Sequence, residues 1–133
     1  MKITTVFLIA AFFSVVLLSQ DAKSPLPAAD EIKAAMATVK DVFKDEYKNL
    51  KTPESRTELA KKLLGQAADP ANNPAMVYVL ITESARIAGE AGNIAAVSEA
   101  SKLIAAKFAG DLLPLRIKMF ELAEKSSARP TPE

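Results

Sequence analysis

From Ile32 to Leu50 the apolar residues Ile32, Met36, Val39, Phe43, Tyr47 and Leu50 recur at intervals of three and four, the spacing of one buried helical stripe. This predicts a first helix from about Ala29 to Leu50. Its other face carries Lys33, Lys40, Asp41, Lys44, Asp45 and Lys48, with acid and base three or four apart. The pattern restarts at Thr52-Pro53, where threonine is a good cap and proline at the first helical position needs no amide donor. A second helix is expected from Pro53 to about Ala68, with Leu59, Leu63 and Ala67 inward and Ala60 and Leu64 widening the stripe. Asn73-Pro74 repeats the start signal. A third helix, about Pro74 to Glu90, buries Val77, Leu80, Ile81, Ala85 and Ala88, and a fourth, Ile94 to about Phe108, turns Val97, Ala100 or Ser101, Ile104 and Phe108 inward. Gly110 and Asp111 form a second elbow before a fifth helix, Leu112 to about Ser126. Pro114 fits its first turn.

The fifth helix differs from the others in the width of its apolar face. Leu112, Leu113, Leu115, Ile117, Met119, Phe120, Leu122 and Ala123 cover well over half of the helical wheel. Two accounts follow. The helix packs in a groove between two others, or one flank, Leu115, Met119 and Leu122, stays exposed as an apolar patch for a partner or a second copy.

The pattern before Ile32 is of another kind. Val6 to Leu18 is an apolar run interrupted only by Ser14 and preceded by Lys2, as in a secretory leader. As a helix it spans about 20 Å, short of the roughly 30 Å hydrocarbon core, so cleavage is expected, with the mature chain starting between Gln20 and Lys23. A retained anchor is the alternative, because the run from Ile3 to Leu18 approaches the lower limit for a span. The expected organisation is a signal peptide over 1–19, a linker over 20–28, a helical domain over 29–127 and a disordered tail over 128–133.

Composition narrows the function classes. The chain has 133 residues, half of them apolar, enough for one domain with an alanine-rich core. Seventeen basic residues face sixteen acidic ones, so no net field draws in nucleic acid or an anionic membrane surface. With no histidine and no cysteine, imidazole bases, thiol nucleophiles, ordinary zinc sites and disulfides are gone. No serine has a lysine three residues on, which removes the common Ser-x-x-Lys arrangement. Asp41 and Asp45 form an i, i+4 carboxylate pair, but flanking lysines favour a solvated, salt-bridged face over a metal site. Glu83 borders an apolar stripe and is the one candidate for a partly buried carboxylate, with Arg86 its simplest partner. No catalytic, cofactor-binding or metal-binding residues are expected.

Gly89-Glu90-Ala91-Gly92 is the nearest approach to a ligand loop. A dinucleotide fingerprint needs a preceding strand and a further glycine, a phosphate loop needs Lys-Ser/Thr after the second glycine, and an RNA-binding GxxG loop needs basic neighbours. None is present. The stretch is expected to be an elbow, with Gly92 in a left-handed terminating position, Asn93 capping the next helix and Gly89 admitting a neighbouring helix.

Val39 to Phe108 resembles a helical module of exported bacterial proteins of uncharacterised function. The matching pieces are Val42-Phe43, Glu46-Tyr47, Lys51-Thr52-Pro53-Glu54, Leu59-Ala60, Leu63-Leu64, Gln66-Ala67, Tyr78, Leu80, Ala91-Gly92 and Phe108; Asn93 stands where the module has aspartate and Ser84 where it has alanine. The third and fourth helices with their Ala-Gly-Asn elbow are also similar to a tetratricopeptide unit, although a single hairpin is not an array. The resemblance implies export and an all-α fold, and brings no catalytic residues. The expectation is an all-α, compact bundle of about five antiparallel helices with tetratricopeptide-like pairing, periplasmic or secreted. It would act as a non-catalytic interaction module for an envelope or extracellular protein, or for itself, and touch neither nucleic acid nor, after signal cleavage, membrane. A small apolar-ligand carrier is the alternative.

Overall fold

The structure, a computed structural model, describes residues 22–128. The expected leader over 1–19 and nearly all of the tail lie outside that range. Among these residues six helices form a bundle: α1 (Ala29–Val42), α2 (Lys44–Lys48), α3 (Pro53–Gln66), α4 (Pro74–Glu90), α5 (Ile94–Lys107) and α6 (Leu113–Ser127). No strand occurs among the described residues; the sole ladder element is an isolated parallel bridge between Ser24 and Phe108.

Local chemistry accounts for most boundaries. The Thr52 side chain accepts the Ser55 amide and the Asn73 side chain the Met76 amide, each with proline at the first helical position. Asn93 accepts the Ala96 amide in the same way. At the start of α1 the Glu31 carboxylate accepts the Ala28 amide at 2.9 Å. At the end of α4, Gly92 has φ +69°, its amide donates to the Gly89 carbonyl and the Asn93 amide to that of Ala88. These are the two bonds of a Schellman termination, so the glycine-containing stretch is an elbow. Gly110 likewise has φ +124°. Asp111 sits one residue further out than a cap proper: α6 starts at Leu113, whose amide donates to Asp111 Oδ1.

One helix expected to be continuous is two. The chain turns at Phe43, and the short α2 follows. Neither proline nor glycine marks the bend, so its cause lies in what the segment packs on. Phe43 is buried beneath Lys62, whose ammonium stands 5.6 Å from the ring centroid, and Lys62 also pairs with Glu46 of α2. Tyr47 reaches across to α4.

The core is organised around α4, which packs on α1, α3, α5 and α6. Burial extends round most of its circumference, from Val79, Leu80 and Ile81 to Ala85, Ile87 and Ala88. Small residues permit the closest approach. A methyl group placed on Gly89 would lie 3.2 Å from the Leu122 side chain and 3.4 Å from the Ala123 backbone nitrogen, so the missing side chain is what lets α6 settle on α4. Buried hydroxyls tie neighbouring helices together: Ser84 of α4 donates to the Ala60 carbonyl of α3 at 2.6 Å, and Arg116 Nε of α6 donates to Ser101 Oγ of α5 at 2.8 Å. Tyr78 and Phe108 meet edge to face, with ring centroids 5.4 Å apart.

Candidate functional site

The described residues hold one buried carboxylate. Glu83, only 3% exposed, sits on α4 where the helix faces α2. Its Oε1 accepts the Tyr47 hydroxyl at 2.7 Å and Arg86 Nη2 at 2.6 Å, and its Oε2 accepts Arg86 Nε at 3.0 Å. Arg86 lies one turn further along α4 and also pairs with Glu90; Arg56 of α3 brings its Nε to 3.9 Å from that second carboxylate. The sequence pointed to Glu83 and Arg86. It did not point to Tyr47, which reads as a core residue of the first helical stripe.

Electrostatics make this cluster a brace. Burial pushes the Glu83 carboxyl upward, but the hydrogen bonds from Arg86 and Tyr47 and the Arg86 charge outweigh it and hold the group below the usual carboxylate range. Burial pushes the Tyr47 phenol above its ordinary value, and the Glu83 hydrogen bond and charge add to the shift. The Glu83 hydrogen bond holds the Arg86 guanidinium protonated. A carboxylate kept ionised and already accepting three hydrogen bonds is poorly placed to take a proton from a substrate.

The other singled-out carboxylates stand apart from it. Asp41 and Asp45 are exposed, Asp45 pairs with Lys48 at 3.7 Å, and the described residues contain no cluster of three metal-ligating side chains.

On α6 the structure separates the two flanks of the wide apolar face. Met119 is buried at 6% exposure, and Leu115 and Leu122 are half-buried. These three residues, proposed from sequence as an exposed patch, pack toward α4, where with Thr82, Glu83 and Arg86 they line a small surface cleft of about 230 Å³. The exposed apolar stripe runs along another face. Leu113, Ile117 and Phe120 retain 61%, 50% and 37% of their surface. Their i, i+4, i+7 spacing sets them in one row.

Two larger clefts, each about 500 Å³, also lie at the surface. One is bounded by Pro25–Pro27, α1 and the first turn of α4; the other lies between α2 and α3. Of the stretch expected to be a linker, Ser24 is stitched to the turn after α5: its amide donates to the Lys107 carbonyl and its carbonyl accepts the Ala109 amide, both at 2.9 Å.

No family model, curated protein or solved structure matches this chain. No helix among the described residues is long and apolar enough to cross a membrane.

Proposed function

We propose that this chain is an exported, non-catalytic helical scaffold whose task is to bind another protein of the cell envelope or exterior. The observation that carries the reading is the row Leu113, Ile117 and Phe120, three large apolar side chains left in water on one face of a helix whose opposite face is already used in the core. Isolated exposed apolar residues are ordinary, whereas a row at helical spacing is the form in which one helix offers itself to a groove or a second helix. The leader-like N-terminus and the resemblance to an exported helical module support the location. The brace around Glu83, whose carboxylate already accepts three hydrogen bonds, supports a scaffold over an enzyme. Carriage of an apolar ligand has less behind it, because the large clefts lie at the surface and α4 fills the middle of the bundle.

The test is affinity capture from envelope extract with the chain beginning at Gln20, run beside the Leu113→Lys/Ile117→Lys double variant. Both positions are exposed, so the melt should stay within about 0.5 kcal/mol per substitution of wild type. Capture of the same partner by both proteins would refute the reading; its loss in a variant that melts like wild type is the expected result.

A further inference from the structure

The segment after the expected leader does more than connect. Ser24 makes two backbone hydrogen bonds to the Lys107–Ala109 turn in the manner of an added parallel strand. Leu26 lies over Gly110, where a methyl group on the glycine would meet the leucine Cδ1 at 3.2 Å. Pro25 and Pro27 flank that leucine and keep the segment extended. Ser24 to Pro27 is therefore a peptide seated in a slot made by another part of the chain. It is lightly held, since Leu26 remains 44% exposed and both hydrogen bonds are backbone bonds of an otherwise isolated bridge. Open clefts border the strap on the surface. The cleft of about 500 Å³ abuts Pro25–Pro27, a second of about 230 Å³ abuts Ser24, and both reach Pro74.

We infer that this slot is a second interaction site, for an extended partner segment with a Ser-Pro-apolar-Pro core, and that the chain's own strap occupies it until displaced. The Lys107 carbonyl and Ala109 amide supply the two backbone bonds, which are indifferent to side chains, as in strand addition. The surface over Gly110 takes the central apolar residue. The smaller cleft, lined by Lys107 and Phe108 beside Ser24, leaves room for a side chain bulkier than serine at that position, which gives a partner an advantage over the resident segment. Proline on both sides of the apolar residue lowers the ordering cost of binding. This site rests on the reading of the chain as an interaction module, but on residues other than the Leu113 row, so each can fail without the other.

The experiment uses a fluorescent peptide of the strap sequence, Ala-Lys-Ser-Pro-Leu-Pro-Ala, titrated against the chain from Gln20 and against its Ser24→Pro/Leu26→Gly variant. The first change removes the amide that donates to Lys107 and the second removes the packing over Gly110. A weakened strap leaves the slot open more of the time, so the variant should bind the peptide at least about fivefold more tightly than wild type, and a scrambled peptide should bind neither. Amide shifts should centre on Lys107–Gly110. No saturable binding to a variant that melts like wild type overturns the inference, and so does equal binding by both proteins. Hydrogen exchange on unaltered protein gives an independent reading: the Ala109 amide should exchange far faster than those in the middle of α4. Exchange of Ala109 only with global unfolding overturns the inference. A concentration-dependent dimer of wild type that the variant lacks would also overturn it, in favour of strap exchange between copies.

Discussion

Replacing Tyr47 by phenylalanine isolates one bond of the Glu83 brace. The ring stays, so no cavity opens; the lost group is a hydroxyl 2.7 Å from a carboxylate oxygen whose side chain is 4% exposed. Hydrogen bonds to charged groups contribute about 1.5–3 kcal/mol, and the half-buried position of Tyr47 places this one toward the lower end, about 1.5–2 kcal/mol near neutral pH. For a domain of this size that lowers the melting temperature by roughly 5–10 °C. The dependence on pH is the sharper measurement. Glu83 has a folded pKa below its unfolded value of 4.5, so its ionised form contributes stability that is present above that value and disappears as pH falls through the folded pKa. Once the carboxyl is protonated, the bond to Tyr47 joins two neutral groups and is worth about 0.5–1 kcal/mol. Urea unfolding of both proteins, followed from pH 7 down through the folded pKa of Glu83, should show the penalty of Tyr47→Phe shrinking by about half once the carboxyl is protonated. At the alkaline end, wild type should lose stability as pH rises above the unfolded tyrosine value of 10.0, because the folded phenol resists ionising, and Tyr47→Phe should lose less. A penalty that stays constant while acid titration of Glu83 destabilises wild type would refute the charged hydrogen bond, and a negligible penalty throughout would show that Tyr47 contributes only its packing.

The glycines divide by what surrounds them. Gly65→Ala, on an exposed face of α3 with nothing within 4 Å of the added methyl, should stabilise by up to about 0.5–1 kcal/mol, while Gly89→Leu should cost more than about 2 kcal/mol by forcing α6 off α4; chemical melts decide both. Gly92→Val should cost about 1–2 kcal/mol or more, since a branched side chain at φ +69° is strained and its Cβ would also lie 3.1 Å from Ser127 Oγ. Gly92→Asn should be milder, and equal small effects in thermal melts would remove the elbow argument. On α6, Met119→Lys buries an unpaired charge and should cost about 3 kcal/mol or more, whereas Ile117→Lys should shift the melt by less than about 0.5 kcal/mol; comparable losses would mean that the exposed and buried flanks have been exchanged.

What the sequence disclosed and what it hid follow from range. Thr52-Pro53, Asn73-Pro74 and Gly92-Asn93 are local devices whose residues act within a turn or two of themselves, and the helix starts and the elbow stand where those residues imply. The break at Phe43 has no such local cause. It coincides with long-range contacts, Lys62 with Phe43 and Glu46 and Glu83 with Tyr47, so the helical periodicity runs on through it and suggests one helix. The Ser24–Phe108 pairing joins residues far apart in the chain through backbone atoms alone and leaves no mark in residue types. The wide apolar arc of α6 was visible, but which flank would be covered was not. That choice is made by Gly89 on α4, which lets Leu122 and Ala123 approach and leaves Leu113, Ile117 and Phe120 outward.

The central position of α4 sets how the bundle comes apart. In a linear repeat array each unit rests on its neighbours, so the ends can melt while the middle persists. Here α1, α3, α5 and α6 all share α4 as their principal support, and contacts among the outer helices are sparser. Removing the hub leaves the spokes little to hold to, and losing one spoke exposes the hub that the others need. The helices of the bundle therefore behave as one cooperative unit, in which damage at any one of them is felt at the rest.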